Sequence, residues 1–133
     1  MPAIDRFLEG FRRFQQQYYR EDSELFDTLK EGQRPTTLLV GCCDSRVDPL
    51  KLTGCEPGEL FIVRNVANLV PPCEKGLHHQ GVSSALEYAV CVLAVERIIV
   101  LGHGGCGGIR ALMQGVTHER EEPSGGFLAK WLT

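Results

Sequence analysis

Thr37-Leu38-Leu39-Val40-Gly41-Cys42-Cys43-Asp44-Ser45-Arg46 is the stretch that decides the fold. Its apolar run is opened by Pro35 and closed by Gly41, is too short for a helix and shows no polar alternation. It therefore reads as a strand buried on both faces. Leu60-Phe-Ile-Val63, after the turn residues Glu56-Pro57-Gly58, and Ile98-Ile-Val-Leu101, before Gly102, have the same character. Between them the spacing predicts a helix from about Val82 to Val95, and Ile109 to Met113 begin another. Before the first strand, Ile4, Phe7, Leu8, Phe11 and Phe14 recur at helical spacing, and Tyr18 and Tyr19 finish that helix. Ser23 caps a second helix running to about Glu31, with Gly32 as its stop signal. Continuous apolar strands separated by helices predict an α/β fold, a parallel β-sheet core flanked by helices.

The chain has 133 residues, 43% hydrophobic and 23% charged, which is enough for one core and too little for two. A net charge of −3 argues against a nucleic-acid partner. No apolar run approaches the roughly 20 residues needed to cross a bilayer, so no membrane partner is expected. The first helix interleaves Arg6, Arg12 and Arg13 with its apolar residues, as a mitochondrial presequence does, but Asp5 and Glu9 count against that assignment. Without the basic-then-apolar pattern of a signal peptide, a cytoplasmic location is expected. In a reducing compartment, six cysteines more often bind metal or do chemistry than pair. Phe127, Leu128, Trp131 and Leu132 open an apolar helical face that stops at Thr133, so the chain is expected to be part of something longer.

Reactive side chains concentrate in two places. Gly41 to Arg46 leaves the first strand, and Gly102-His103-Gly104-Gly105-Cys106-Gly107-Gly108 leaves the third. In parallel α/β sheets, ligand sites form beyond the carboxyl ends of strands. If those strands are neighbours, Cys42, Asp44, His103 and Cys106 converge. Two thiolates, an imidazole and a carboxylate suit tetrahedral zinc. Cys106 also precedes a helix whose positive end favours a thiolate. Arg46 separates catalysis from scaffolding, because a structural zinc site has no use for an arginine two residues from a carboxylate ligand. If Asp44 leaves the metal to pair with Arg46, the fourth position opens to water.

Other candidates have plainer readings. Cys43 points away from Cys42 and is expected in the core, as is Cys91 inside its helix. Cys55 and Cys73 read as free thiols in loops. His78 and His79 could ligate a second metal or shuttle protons, but a solvated loop pair is the simpler expectation. Arg64 ends a buried strand with no partner assignable from sequence.

Cys42-x-Asp44-Ser45-Arg46 with His103-x-x-Cys106-Gly-Gly closely resembles the β-class carbonic anhydrases. Glu56 to Asn68 and Leu86-Glu-Tyr-Ala-Val90 resemble other hallmark stretches of that family. The likeness is dense from Gln33 to Gly108. It implies a Zn2+ ion held by Cys42, His103 and Cys106, with Asp44 able to take the fourth position and Arg46 to draw it off. It further implies that Gln33 contacts substrate and that Phe61, Val66 and Tyr88 line a small apolar pocket, some reaching it from a partner subunit.

The activity implied is reversible hydration of carbon dioxide to bicarbonate and a proton by zinc-hydroxide attack, in a homodimer or larger homo-oligomer. The alternatives are a zinc-stabilised fragment without catalysis and a hydrolase of an analogue such as carbon disulfide. On this basis residues 1–133 form one domain, a helical arm at 1–32 and a zinc-binding α/β core at 33–133, lacking the family's usual C-terminal part. The N-terminal helices are expected to extend to a partner subunit.

Overall fold

A computed structural model describes residues 3–73, 80–115 and 126–132. The chain divides into two compact units, residues 1–34 and 35–133. In the first, α1 (Ala3–Gln15) runs into a π-helical turn, Gln16–Glu21, followed by α2 (Glu24–Leu29). Phe14 packs on Phe11, Tyr18, Tyr19 and Phe26, and these rings are the hydrophobic centre of the unit. Ile4, Phe7, Leu8 and Phe11 remain exposed on α1. Ser23 stands at the N-cap of α2 but its side chain makes no capping hydrogen bond, and the helix ends at Leu29, earlier than its sequence suggests.

The second unit is built on three parallel strands in the order β2-β1-β3, where β1 is Thr37–Cys42, β2 is Leu60–Asn65 and β3 is Arg97–Val100. The expected parallel sheet flanked by helices is therefore present. Every residue of β1 is buried, because a central strand with helices on its faces has no side left for water. Leu38 and Val40, two apart and so on one face, meet Ala89, Phe61, Val63, Leu86 and Val95. Ladder partners Arg64 and Asn65 carry β1 through Gly41 and Cys42, two residues beyond its apolar run.

Three features depart from the sequence reading. Asp48 caps a short helix, α3 (Pro49–Thr53), accepting from the amides of Leu50 and Lys51, and Gly54 ends it in a left-handed conformation. Asp-Pro followed by Gly is a cap, N1 and C′ signature that the sequence carries openly. The helix from Val82 to Val95 is instead α4 (Gln80–Glu87) continued by a π-helical turn, Tyr88–Val92. Ile98, Ile99 and Val100 are about half exposed rather than buried, because β3 is paired along one edge only among the described residues. A 3-10 turn, Val66–Asn68, follows β2, and α5 (Gly107–Gln114) and α6 (Phe127–Trp131) complete the described elements.

Leu38→Ala should lower the unfolding free energy by about 2–5 kcal/mol, since a fully buried leucine on the central strand leaves a cavity that helices on a sheet cannot collapse into. Ile99→Ala on the half-exposed β3 should cost clearly less. Urea denaturation of the two variants measures the difference.

Candidate metal centre

Because β1 and β3 are hydrogen-bonded neighbours running the same way, the segments that follow them emerge side by side. Leu101 donates to the carbonyl of Val40, extending the pairing one step past β3 and delivering the glycine loop to the end of β1. Cys42 is the last residue of β1, and Cys106 stands at the N-cap of α5. The loop between His103 and Cys106 turns at Gly105, whose φ of 65° is left-handed and suits glycine.

Cys42, His103 and Cys106 come together, each offering one ligand atom, with all three atoms within 4.8 Å of one another. The two sulfurs are 3.8 Å apart and buried, and no disulfide joins them. His103 Nδ1 is 3.0 Å from the carbonyl of Gly104, which assigns that nitrogen the proton and leaves a lone pair on Nε2. Nε2 is buried without a hydrogen-bond partner. A buried, unsatisfied imidazole nitrogen facing two thiols costs free energy unless something occupies the space between them. A soft N/S donor set of this kind fits zinc.

The electrostatics of the cluster favour a cation. Burial raises the pKa of Cys42, but the amides of Asp44 and Ala67 and the side chains of His103 and Cys106 more than offset it, bringing it down to about 7. The neighbouring Cys42 sulfur is the main cause of a raised His103 pKa.

Asp44 stands beside this group rather than in it. Arg46 grips both of its oxygens, Nε to Oδ1 at 2.9 Å and Nη2 to Oδ2 at 2.6 Å, while the Arg46 amide donates to Oδ1 at 2.8 Å. The Arg46 side-chain hydrogen bonds hold the carboxyl below the usual carboxylate range, and Asp44 in turn raises the pKa of the arginine. Asp44 Oδ2 remains 3.8 Å from His103 Nε2, so a modest swing of the carboxylate brings it to the cluster. Arg46 Nη2 also reaches the carbonyl of Gly105 at 3.3 Å, tying the two loops together.

Arg64 is a residue that sequence reasoning left open. Its Nε donates to the carbonyl of Cys42 and its Nη2 to that of Asp44, both at 2.7 Å, with Val47 O at 3.4 Å. One guanidinium thus pins the turn that carries both Cys42 and Asp44. No sequence signal marks this role, because its partners are backbone carbonyls, which every residue has.

The remaining candidates are spread out. Phe61 and Tyr88 form a ring pair with centroids 5.7 Å apart. Phe61 is opposite Leu38 in the ladder, four residues and roughly 13 Å along β1 from Cys42, so the pair is not at its own chain's cluster. Val66 lines an open cavity of about 380 Å³ with Cys43, Asn65, Gly81, Val82 and Trp131. Gln33 is exposed in the first unit. Cys43 and Cys91, expected in the core, are both exposed. The strand ends at Cys42, so the alternation that would turn Cys43 inward has stopped, and Cys91 lies in the π-helical turn, where 3.6-residue spacing no longer applies. His78 and His79 lie outside the described residues.

A family model described as carbonic anhydrase matches residues 37–133. The chain is 44% identical over 113 residues to beta carbonic anhydrase 3 of Arabidopsis thaliana, covering 85% of this chain and 43% of that protein. From the same organism, beta carbonic anhydrase 6, mitochondrial, is 43% identical over 129 residues (97% and 43% covered). Beta carbonic anhydrase 5, chloroplastic, is 42% identical over 130 residues (98% and 42%). The chain thus spans less than half the length of each of these relatives.

Among solved structures, the β-carbonic anhydrase CcaA superposes with a TM-score of 0.85 at 35% identity, over 99% of this chain and 57% of that one. A tetrameric β-carbonic anhydrase from Sordaria macrospora gives 0.79 at 30% identity, over 99% and 61%. The expected cytoplasmic location is overturned by the relatives, two of which are named for the mitochondrion and the chloroplast. The acids Asp5 and Glu9 were too weak a ground for it. They share α1 with Arg6, Arg12 and Arg13 and an exposed apolar side, a pattern organelle presequences also present.

Arg64→Lys tests the pin on the ligand turn. A point ammonium cannot fork across two carbonyls, so the variant should lose about 1–3 kcal/mol of stability in chemical denaturation. An unchanged midpoint would remove Arg64 from the support of the site.

Proposed function

Because the chain belongs to the β-class carbonic anhydrases, we propose that it carries the metal centre for zinc-dependent hydration of carbon dioxide to bicarbonate and a proton. The observation that carries this is the convergence of Cys42, His103 and Cys106 beside an Asp44 fully engaged by Arg46. Cys42, His103 and Cys106 would hold the zinc. Bound there, zinc would supply the Lewis acidity that makes water a strong nucleophile near neutral pH. Arg46 keeps Asp44 ionised and turned aside, which leaves the approach to the cluster open to water. The same ionised carboxylate can accept, but not donate, a hydrogen bond, and so orients a water with its lone pair towards the substrate. When Asp44 swings away from Arg46 it closes that approach, so the pair acts as a gate. Gln33 is the side chain we assign to orienting a substrate oxygen.

Carbon dioxide is small and apolar, and its pocket needs apolar walls. Phe61 and Tyr88 meet that need but sit at the far end of β1 from Cys42 in their own chain. We assign them, with Val66, to the site of a second copy, in a homo-oligomer whose N-terminal helices contact the neighbour. The tetrameric relative from Sordaria macrospora supports such an assembly.

Three measurements test this. Purified protein should contain one zinc per chain, and Cys106→Ser should lose it, because an alcohol is a poor zinc ligand at neutral pH. Full occupancy in that variant would remove Cys106 from the ligand set. Asp44→Asn should keep its zinc while stopped-flow hydration falls about 10- to 100-fold, the scale of one charge-assisted hydrogen bond. Metal without turnover in the parent chain would favour a zinc-stabilised scaffold. Sedimentation at micromolar concentration should show species larger than the 14.7 kDa protomer. A fully active monomer would overturn the shared pocket.

A further inference from the structure

Gly107 and Gly108 both follow Cys106 in the first turn of α5, but their surroundings differ. A Cβ on Gly107 would meet no atom within 4 Å among the described residues. One on Gly108 would fall 2.8 Å from the Ala67 Cβ, 2.9 Å from Val66 Cγ1 and 3.0 Å from the Ala67 nitrogen. Carbon atoms in contact prefer about 3.5–4.0 Å, so a methyl group there would have to part α5 from the turn after β2 by roughly 0.5–1 Å.

The turn is the side that resists. Asn65, the last residue of β2, lies opposite Cys42 in the ladder, and its carbonyl accepts the amide of Cys43 at 2.9 Å. Its side chain closes two hydrogen bonds on Leu69, Nδ2 donating to Leu69 O at 2.8 Å and Oδ1 accepting from Leu69 N at 2.7 Å. Between these anchors Ala67 has φ 73° and ψ 17°, and Asn68 has φ 46°. Two consecutive left-handed residues without glycine leave a turn little freedom to adjust. Ala67 is also fully buried, in one cluster with Cys42 and Cys106. The element that yields is therefore α5. Cys106 moves with it, because its carbonyl accepts the amide of Arg110 at 3.0 Å.

The turn is thus tied to Cys42 on one side and pressed against α5 on the other. How near Cys106 comes to Cys42 depends on how closely α5 can approach. Two sulfurs each about 2.3 Å from a tetrahedral zinc lie about 3.8 Å apart. The Cys42 and Cys106 sulfurs are 3.8 Å apart. We propose that Gly108 is a positioning residue for the Cys106 ligand, setting the gap between the two sulfurs at the width of zinc through its contact with Ala67, and so making the site selective by ion size. The inference rests on the zinc assignment above. A wider gap favours an ion with longer bonds to sulfur, and Cd2+, larger and softer, is such an ion.

The affinities of the full chain for Zn2+ and for Cd2+, each measured by competition with a chromophoric chelator, give the readout as a ratio. A general loss of stability weakens both ions alike, whereas a changed gap separates them. Gly108→Ala should shift the ratio towards Cd2+ about 10-fold, the scale on which the surroundings of a ligand tune metal affinity. Gly107→Ala, the same substitution one residue away, should leave the ratio at the parental value. Adding Ala67→Gly to Gly108→Ala moves the methyl group from one side of the contact to the other and should return part of the shift. An unmoved ratio in Gly108→Ala overturns the proposal, as does an equal shift in Gly107→Ala. A shift that Ala67→Gly does not reduce overturns Ala67 as the contact. If Gly108→Ala fails to fold, Ala67→Gly alone slackens the contact and should shift the ratio towards Cd2+ by a smaller factor, and no shift would again overturn the role. A parent chain that binds no Zn2+ would instead overturn the metal assignment, and this inference with it.

Discussion

Parallel pairing of β1 with β3, Leu39 against Ile99 and Val40 against Val100, is the constraint on which the rest of the site depends. It sends two loops off the same edge of the sheet, so residues separated by 64 positions place their sulfurs 3.8 Å apart. No side chain in either loop has to reach far. Cys42 is simply where β1 stops, and Cys106 is where α5 begins. An antiparallel arrangement would have put the same residues at opposite ends of the sheet.

Gathering two thiols, an imidazole and a carboxylate in one place creates an electrostatic problem that two arginines answer differently. Arg46 meets the carboxylate directly and, through Gly105 O, also fastens the two loops to each other. Among the described residues, Arg64 pairs with no acid side chain. It collects the carbonyls of Cys42 and Asp44, and so brings positive charge beneath the ligand turn while fixing its shape. The first is a pair that can open. The second is a brace with forked geometry that an ammonium could not reproduce.

The strands and the ligand set were legible in the sequence because both have local signatures. Apolar runs bounded by Pro and Gly mark β1 and β2, and Cys-x-Asp-Ser-Arg with His-x-x-Cys marks donors at loop positions. What was not legible depends on the third dimension. The role of Arg64 lies in bonds to main-chain carbonyls of residues nearby in space, which no spacing rule encodes. The exposure of β3 reflects its being paired along one edge only among the described residues, and the run Ile98 to Leu101 is as apolar as any buried strand. Cys91 was misplaced because its helix changes pitch at Tyr88, a shift invisible to a 3.6-residue count. The cap of α3, by contrast, was readable at Asp48-Pro49.

The two halves of the donor set have unequal support. Cys42 ends a strand buried along its whole length and is anchored further by Arg64. His103 and Cys106 hang from a glycine-rich loop behind β3, which is half exposed and paired along one edge only among the described residues. Local opening starts where backbone is least protected. Metal exchange would therefore be asymmetric, with the imidazole and the Cys106 sulfur peeling away while Cys42 stays in place as the fixed jaw. An ion in transit would be held last, and caught first, by a single thiolate at the mouth of the sheet.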